Sequence, residues 1–553
     1  MAQGNKSVNG IVNYLSLVDQ SCIFEHLTFF QSVNLLQFME NIAILWADDE
    51  IDLLKPHILF LKSKGYIVQT TSSGRDAIQI CRENHFDLVF LDENMPGISG
   101  LAALQAIKAD NPNLPVVMIT KSEEEHIMEE AIGQQISDYL IKPVNPHQIL
   151  LSLKKIIDNK RIYNEKTTQS YLQEFRQLGM EINDDLDHNG WVEVFQKLVQ
   201  WEMRLENVDD ASLREVFEAQ KFEANAQFGK MIKRQYRNWM QGKDSPILSH
   251  QAFQKLVMPF AEDGPLFLFL IDNLRLDQFK TLESTIAEYF RPESSVCYYA
   301  MLPTATEFAR NAFFAGMTPL EITQKHPQLW VEEGDEGSKN QHEEALLKSQ
   351  LQRLGFNKKW SYHKVTNPQS GQQLIDQFHQ WKKEDLVVIV YNFVDLLSHV
   401  RSEMNVLKQL APDEAGYRSL TKSWFEHSPL LEMMKLVASM PNATMAITTD
   451  HGSIRCHQPS RIIGDKTTTS NLRFKEGRSL SFDDKDLYWE DQPEKIGLPK
   501  STISASYVFA NEDKYFVYPN NYHHYVSMYR DSFQHGGISL EEMIVPFGIF
   551  TPR

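Results

Sequence analysis

Sulfur is scarce in this chain and is not arranged for cross-linking. Cys22, Cys81, Cys297 and Cys456 are its four cysteines in 553 residues, and no two have CxxC spacing. A disulfide framework is therefore excluded, and a reducing compartment fits. Long apolar runs are missing too: none approaches the roughly 18 residues of a membrane span, so no membrane insertion is expected. The first residues show no basic region followed by an apolar core and a small-residue cleavage site. No signal peptide is expected, and the chain is read as cytoplasmic. Positive charge is in deficit, with 55 Lys and Arg against 73 Asp and Glu and a formal net charge of -18. A surface that acidic argues against non-specific DNA binding, although a local basic patch can still hold an anion.

What is present suffices for several cores. The length implies about three or four domains, and an apolar content of 42% is ordinary for globular chains. Residues 1–38 have mixed polarity and no clear period, and Met39 opens the first strand-like run. The leader is expected to be disordered or a start-site artefact.

From Ile42 to Asn159 short apolar strands alternate with amphipathic helices, the pattern of a doubly wound, flavodoxin-like parallel sheet. Ile42–Ala47 ends in Asp48-Asp49-Glu50, Leu88–Leu91 in Asp92, Val116–Ile119 in Thr120, and Tyr139–Ile141 in Lys142. In such a sheet the carboxyl ends of the strands share one edge. Carboxylates gathered there repel one another, and an all-oxygen set of this kind suits Mg²⁺. Lys142 adds a point positive charge, and Thr120 a hydroxyl for a phosphoryl oxygen. With DDE at 48–50, LDENMPG at 91–97, MITK at 118–121 and YLIKP at 139–143, residues 39–160 resemble the receiver domain of bacterial response regulators. The resemblance implies phosphorylation of Asp92. It implies Mg²⁺ held by Asp49, Asp92 and the Asn94 carbonyl with Asp48 in support, and a switch made of Thr120, Tyr139 and Lys142. It also implies homodimerisation when phosphorylated.

Residues 161–260 read as helix only. Tyr171, Phe175 and Leu178 make one apolar stripe; Trp191, Val194, Phe195, Leu198 and Trp201 make another at helical spacing. A small helical bundle acting as a spacer is expected.

From about residue 261 a larger α/β domain is expected to run to 553. Leu266–Ile271 ends in Asp272; Leu386–Tyr391 leads to Asp395 and His399; Thr444–Thr449 ends in Asp450-His451-Gly452; His535-Gly536-Gly537 lies near the end. A Pro-led loop, Leu302-Pro303-Thr304-Ala305-Thr306, delivers a threonine to the start of a helical run. Six metal-capable side chains and one hydroxyl are the parts of a two-metal phosphoryl-transfer site. An Asp and a His four residues apart share one helix face and can grip one ion.

The order Asp, Thr, DxxxH, DHG, HGG resembles the alkaline phosphatase superfamily, especially its phosphodiesterase branch and the PglZ domain. By that resemblance one zinc ion takes Asp272, Thr306, Asp450 and His451, and a second takes Asp395, His399 and His535. Thr304 competes as nucleophile, and Thr306 is preferred because the family places the nucleophile third after the loop proline. The implied chemistry is double displacement, with Thr306 attacking phosphorus and water then releasing it. Residues 453–534 form an excursion between DHG and HGG. Its Arg461, Lys466, Arg473, Lys475 and Arg478 read either as a solvated loop or crossover or as a lid that holds further phosphates of a nucleotide or oligonucleotide. Phe474, Tyr488, Trp489 and Tyr507 read either as core, the commoner fate, or as stacking candidates. Cys456 and His457 are read as incidental.

The three parts together resemble the response regulators of the Bacteroidetes type IX secretion system. Receivers usually drive DNA-binding domains, and no helix-turn-helix output is found here. The resemblance implies a sensor histidine kinase of the PorY type, a secretion-motor protein of the PorL type, and phosphodiesterase action on cyclic or linear oligonucleotides. The other reading is a non-catalytic adaptor for motor or transcription-factor partners, with structural zinc.

Overall fold

The computed structural model describes residues 42–553 apart from 113, 122–135, 207, 209, 332–337, 404–407, 410 and 466–467, and excepting the side chains at 157–165 and 399–403. The leader, 1–38, lies outside the described residues. The chain divides into two compact units, one running to Lys166 and the other from Thr167 to Arg553.

In the first unit β1 (Ala43–Ala47), β2 (Ile67–Thr71), β3 (Leu88–Asp92), β4 (Val116–Thr120) and β5 (Asp138–Ile141) form a parallel sheet in the order β2-β1-β3-β4-β5. Helices α1 (Lys55–Ser63), α2 (Gly74–Glu83) and α3 (Gly100–Asp110) connect the strands. The central strands β3 and β4 are buried at every position. That is why they read as unbroken apolar runs rather than alternating ones.

The second unit is built on a six-stranded mixed sheet. Its strands are β6 (Leu266–Ile271), β7 (Phe290–Tyr299), β8 (Trp360–Val365), β9 (Leu386–Tyr391), β10 (Thr444–Thr448) and β11 (Ile544–Pro552), in the order β7-β11-β10-β6-β9-β8. β10, β6, β9 and β8 run parallel; β11 and β7 close the other side antiparallel. All six residues of β6, LFLFLI, are buried. The carboxyl ends of β10, β6 and β9 therefore lie side by side, with their loops at one edge.

Among the described residues three long helices precede this sheet, α4 (Pro146–Asn183), α5 (His188–Leu205) and α6 (Ala211–Met240), with short helical turns between Ser249 and Asp263 after them. Asp187 caps α5 by accepting from the Gly190 amide, and Asp210 caps α6 by accepting from the Leu213 amide. The expected stripe of Trp191, Val194, Phe195, Leu198 and Trp201 is buried on α5. It does not pack on a core of its own. One hydrophobic cluster runs from Tyr171 through Phe228 and Tyr299 to Phe550, so the helices and the sheet share a core.

The excursion 453–534 is a set of small sheets. Gln458–Ile463 pairs with Lys514–Val517 and Ser481–Phe482, and Phe474–Gly477 with Ser506–Phe509. Its strands have their own buried residues, such as Ile462, Val508 and Phe516.

Candidate functional site

Two clusters of acidic residues stand out among the described residues, and both lie at carboxyl ends of strands. In the first unit, carboxylate oxygens of Asp48, Asp49 and Asp92 lie within 4.8 Å of one another. Lys142 Nζ is 2.8 Å from Asp48 Oδ2 and 2.9 Å from Asp92 Oδ1. Burial raises the Asp92 carboxyl above its ordinary range; Lys142 opposes the rise, and Asp48 and Asp49 add to it. One lysine therefore does not balance the acids, and a divalent ion would. Thr120 is buried beside them, Tyr139 is half-buried, and Asn94 is exposed.

In the second unit β6 delivers Asp272, β10 delivers Asp450 and His451, and α7 (Phe393–Glu403), which follows β9, carries Asp395. Asp272, Asp450 and His451 are buried, with one ligand atom from each within 4.8 Å of the others. Thr306 opens a helix, Thr306–Ala315. Its Oγ1 is 3.0 Å from His451 Nε2 and 3.4 Å from Asp272 Oδ1. His535 enters beside the short strand Phe533–Gln534, which pairs with Ile454–Arg455. Its Nε2 is 3.7 Å from Asp395 Oδ1, and its ring stacks on His451 with centroids 4.3 Å apart. Asn273 joins the two groups: its amide donates to Asp450 Oδ1 at 3.3 Å and its Nδ2 to Asp395 Oδ1 at 3.2 Å. Asn273 adopts a left-handed φ of 61°, which asparagine tolerates better than most residues. His399 lies one turn beyond Asp395 in α7, and its side chain is outside the described residues.

The donors fit divalent ions. His451 Nδ1 is 3.1 Å from the Gly452 carbonyl, and His535 Nδ1 is 3.2 Å from the Thr304 carbonyl. A carbonyl only accepts, so each Nδ1 donates to it and each Nε2 is the ring atom turned toward the acids, the arrangement of histidine–metal sites. Burial pushes the Asp272 carboxyl well above the ordinary range; Arg310 opposes this, while Asp450, Asp395 and Glu343 add to it. Burial acts the same way on Asp450, but His451 and Arg310 outweigh it and hold that carboxyl below its usual value. The site thus has buried negative charge beyond what its protein cations offset. Gly452 permits the close packing behind His451, since a Cβ there would meet the Glu541 carbonyl oxygen at 2.0 Å. Gly536, with φ 116°, lets the chain turn directly after His535.

Several residues escaped sequence reasoning. Arg310 is buried under the acids, with Nη2 3.1 Å from Asp272 Oδ2 and Nε 2.9 Å from Glu343 Oε1 and 3.5 Å from Asp450 Oδ2. A signal was available: an arginine in the run Phe308-Ala-Arg-Asn-Ala-Phe-Phe314, four residues after Thr306 and so on the same helix face. Thr304 uses its hydroxyl between two loops, donating to the Gly537 carbonyl at 2.8 Å and accepting from the Gly536 amide at 3.1 Å.

Two expected substrate contacts are corrected. Arg473 is fully buried, with Nη2 2.6 Å from Glu542 Oε2, and cannot reach a ligand. Lys475 is buried as well, donating to the Thr469 carbonyl at 2.8 Å with its ammonium 4.9 Å from the Tyr518 ring centroid. Phe474, Tyr488 and Tyr507 are core residues, whereas Trp489 is half exposed. Arg461 is exposed over the Tyr522 ring, Arg478 is exposed with Nε donating to Thr502, and Lys466 is outside the described residues.

Comparison with known families matches this architecture in order. The model of the BREX system PglZ alkaline phosphatase-like domain matches residues 252–548, more than half of the chain. The chain belongs to the PglZ alkaline phosphatase-like family. The PorX response regulator linker domain matches 161–240, and the response regulator receiver domain 44–154. The chain is therefore a two-component regulator with a phosphatase-superfamily output domain. Among curated relatives, the transcriptional regulatory protein ZraR of Escherichia coli strain K12 is 34% identical over 140 residues, 25% of this chain and 32% of that protein. The response regulator SaeR of Staphylococcus aureus is 27% identical over 126 residues, 23% of this chain and 55% of that protein. The chain thus spans about a third to about a half of these relatives' lengths. Among solved structures, the chemotaxis protein CheY4 of Vibrio cholerae is 26% identical with a TM-score of 0.20, covering 21% of this chain and 98% of that one. No helix among the described residues is long and apolar enough to cross a membrane.

Proposed function

We propose that phosphorylation at Asp92 controls dimerisation and a zinc-dependent phosphodiesterase at Thr306, acting on nucleotide or oligonucleotide diesters, and that this output regulates type IX protein secretion. The observation that carries the reading is the Thr306 hydroxyl, held against His451 Nε2 and Asp272 Oδ1 within a cluster of buried acids. An adaptor has no use for a hydroxyl so held. Asp272, Asp450 and His451 with Thr306 would hold one ion, and Asp395, His399 and His535 the other. Bound zinc would supply the positive charge that favours an alkoxide and a departing oxygen.

The chain's own part is attack and alignment. Thr306 Oγ1 attacks phosphorus in line, the bond to the leaving alcohol breaks, and the remaining ester group stays linked through phosphorus to Thr306. Water then attacks the same phosphorus and the bond to Thr306 breaks. The sum is one diester and one water consumed, one alcohol and one phosphomonoester formed. Asn273 keeps Asp450 and Asp395 in register, and Arg310 steadies Asp272 from behind.

Upstream, Asp48, Asp49, Asp92 and the Asn94 carbonyl would hold Mg²⁺, with Lys142 ready to pair with the new phosphoryl oxygens. Thr120 and Tyr139 would report the change. The phosphoryl donor would be a sensor histidine kinase of the PorY type, and the downstream contact a motor protein of the PorL type. The match to the PorX linker domain supports this setting.

One preparation tests both halves. Hydrolysis of an aryl phosphodiester by the full chain should vanish on chelation and return with zinc. Adding an acyl-phosphate mimic should double the mass in light scattering. Zinc retained without turnover of any diester would favour the adaptor reading, and an unchanged mass would end the dimer claim.

A further inference from the structure

The long helix α6 reaches the candidate active site at two points along one face. Near its middle is Asn225, which is almost fully buried. Its Oδ1 accepts from the Leu540 amide at 2.8 Å, and its Nδ2 donates to Glu541 Oε2 at 3.1 Å. Near its end is Tyr236, fully buried, whose hydroxyl accepts from the Leu302 amide at 2.7 Å. The two positions are eleven residues apart, about three helical turns and roughly 16 Å, so both side chains leave the helix on the same side.

The loops they hold are two of those that build the site. Leu302 opens the Pro303-Thr304-Ala305-Thr306 segment that ends in the hydroxyl, and Leu540 closes the segment that begins at His535. Thr304 already stitches these loops together through Gly536, Gly537 and the His535 ring. α6 therefore grips each loop from outside the stitch, at a buried backbone amide that needs an acceptor.

We propose that α6 is a brace for phosphoryl transfer, with Tyr236 and Asn225 as positioning residues that set the spacing of Thr306 and His535. Its catalytic readout rests on the phosphodiesterase reading above; its geometric readout does not. A helix is stiff over this length, so a shift of α6 along its axis acts on both loops at once. α6 is the last helix within the linker match, 161–240, which makes the linker part of the site rather than a spacer before it.

The test uses the full chain with Tyr236→Phe and Asn225→Asp, and Phe228→Leu as a control on the same helix. Phe228 packs in the core against Trp191 and Tyr299. Tyr236→Phe removes one acceptor and little volume. Hydrogen exchange should quicken in peptides covering 300–306 and also in those covering 535–543, although the hydroxyl removed is bonded to Leu302. Affinity for one of the two zinc ions should fall about tenfold, as when a partner of a metal ligand is lost. The kcat for a diester should fall by about tenfold or more while KM stays within about twofold. Asn225→Asp, which keeps the acceptor for Leu540 but faces Glu541 with like charge, should act in the same direction. Phe228→Leu should lower the unfolding temperature and leave kcat per folded molecule within about twofold. Wild-type exchange at 535–543 in Tyr236→Phe would overturn the brace, and so would a matching fall in kcat in Phe228→Leu. If wild-type chain turns over no diester, the phosphodiesterase reading fails, and exchange and zinc affinity still decide the brace.

Discussion

Thr306→Ala should lower diester turnover by about 10⁴-fold or more while the chain stays folded and keeps its zinc. The size follows from losing a nucleophile for which nothing nearby substitutes. The hydroxyl of Thr304 is occupied between Gly536 and Gly537 and faces away from this task. Folding should be spared because Thr306 begins its helix without a side-chain cap. Metal should be retained because Asp272, Asp450 and His451 still converge. The measurements are steady-state kinetics, circular dichroism and bound-zinc content on the same sample. Turnover within tenfold of wild type would show that the attacking group is elsewhere.

Arg473→Met should destabilise the second unit by about 3–5 kcal/mol, the usual result of leaving a buried charge without its partner. Arg473 and Glu542 are both fully buried, joined by bonds of 2.6 Å and 3.2 Å. Glu542 in turn accepts from the Gly537 amide at 2.8 Å and from Ser539 Oγ at 2.8 Å, so the pair anchors the turn that follows His535. Urea denaturation would register the loss as a lower midpoint. Replacing both partners by methionine should recover part of it, because no lone charge then remains. A variant of wild-type stability with a raised KM would restore Arg473 to the role of substrate contact.

The strands were legible from their apolar runs: Leu266–Ile271 stops directly at Asp272, Leu386–Tyr391 leads into the helix that carries Asp395, and Thr444–Thr448 lies two residues before Asp450. The helix face carrying Trp191, Val194, Phe195, Leu198 and Trp201 was legible from its spacing, but what covers it was not. Periodicity reports that a face is buried and says nothing about the partner, here a core shared with the sheet. Arg473 and Lys475 misled because cations in an acidic chain suggest a surface. The burial of Arg473 depends on Glu542, 69 positions later, and that of Lys475 on Thr469 and Tyr518 within a fold of the excursion that no local pattern encodes. Arg310, Asn225 and Tyr236 were missed for a related reason. Arg310 meets Asp272, Glu343 and Asp450, Asn225 meets Leu540 and Glu541, and Tyr236 meets Leu302. These partners are distant in sequence, and of the three only Arg310, four residues after Thr306, had a local spacing cue.

The central claim is that a threonine, not water, makes the first bond to phosphorus. The stereochemistry of hydrolysis tests it most directly, using a phosphodiester made chiral at phosphorus and cleaved by the zinc-loaded chain in isotopically labelled water. Two successive in-line displacements, the first by Thr306, give net retention of configuration. Inversion would mean a single direct attack by water and would contradict the role assigned to Thr306.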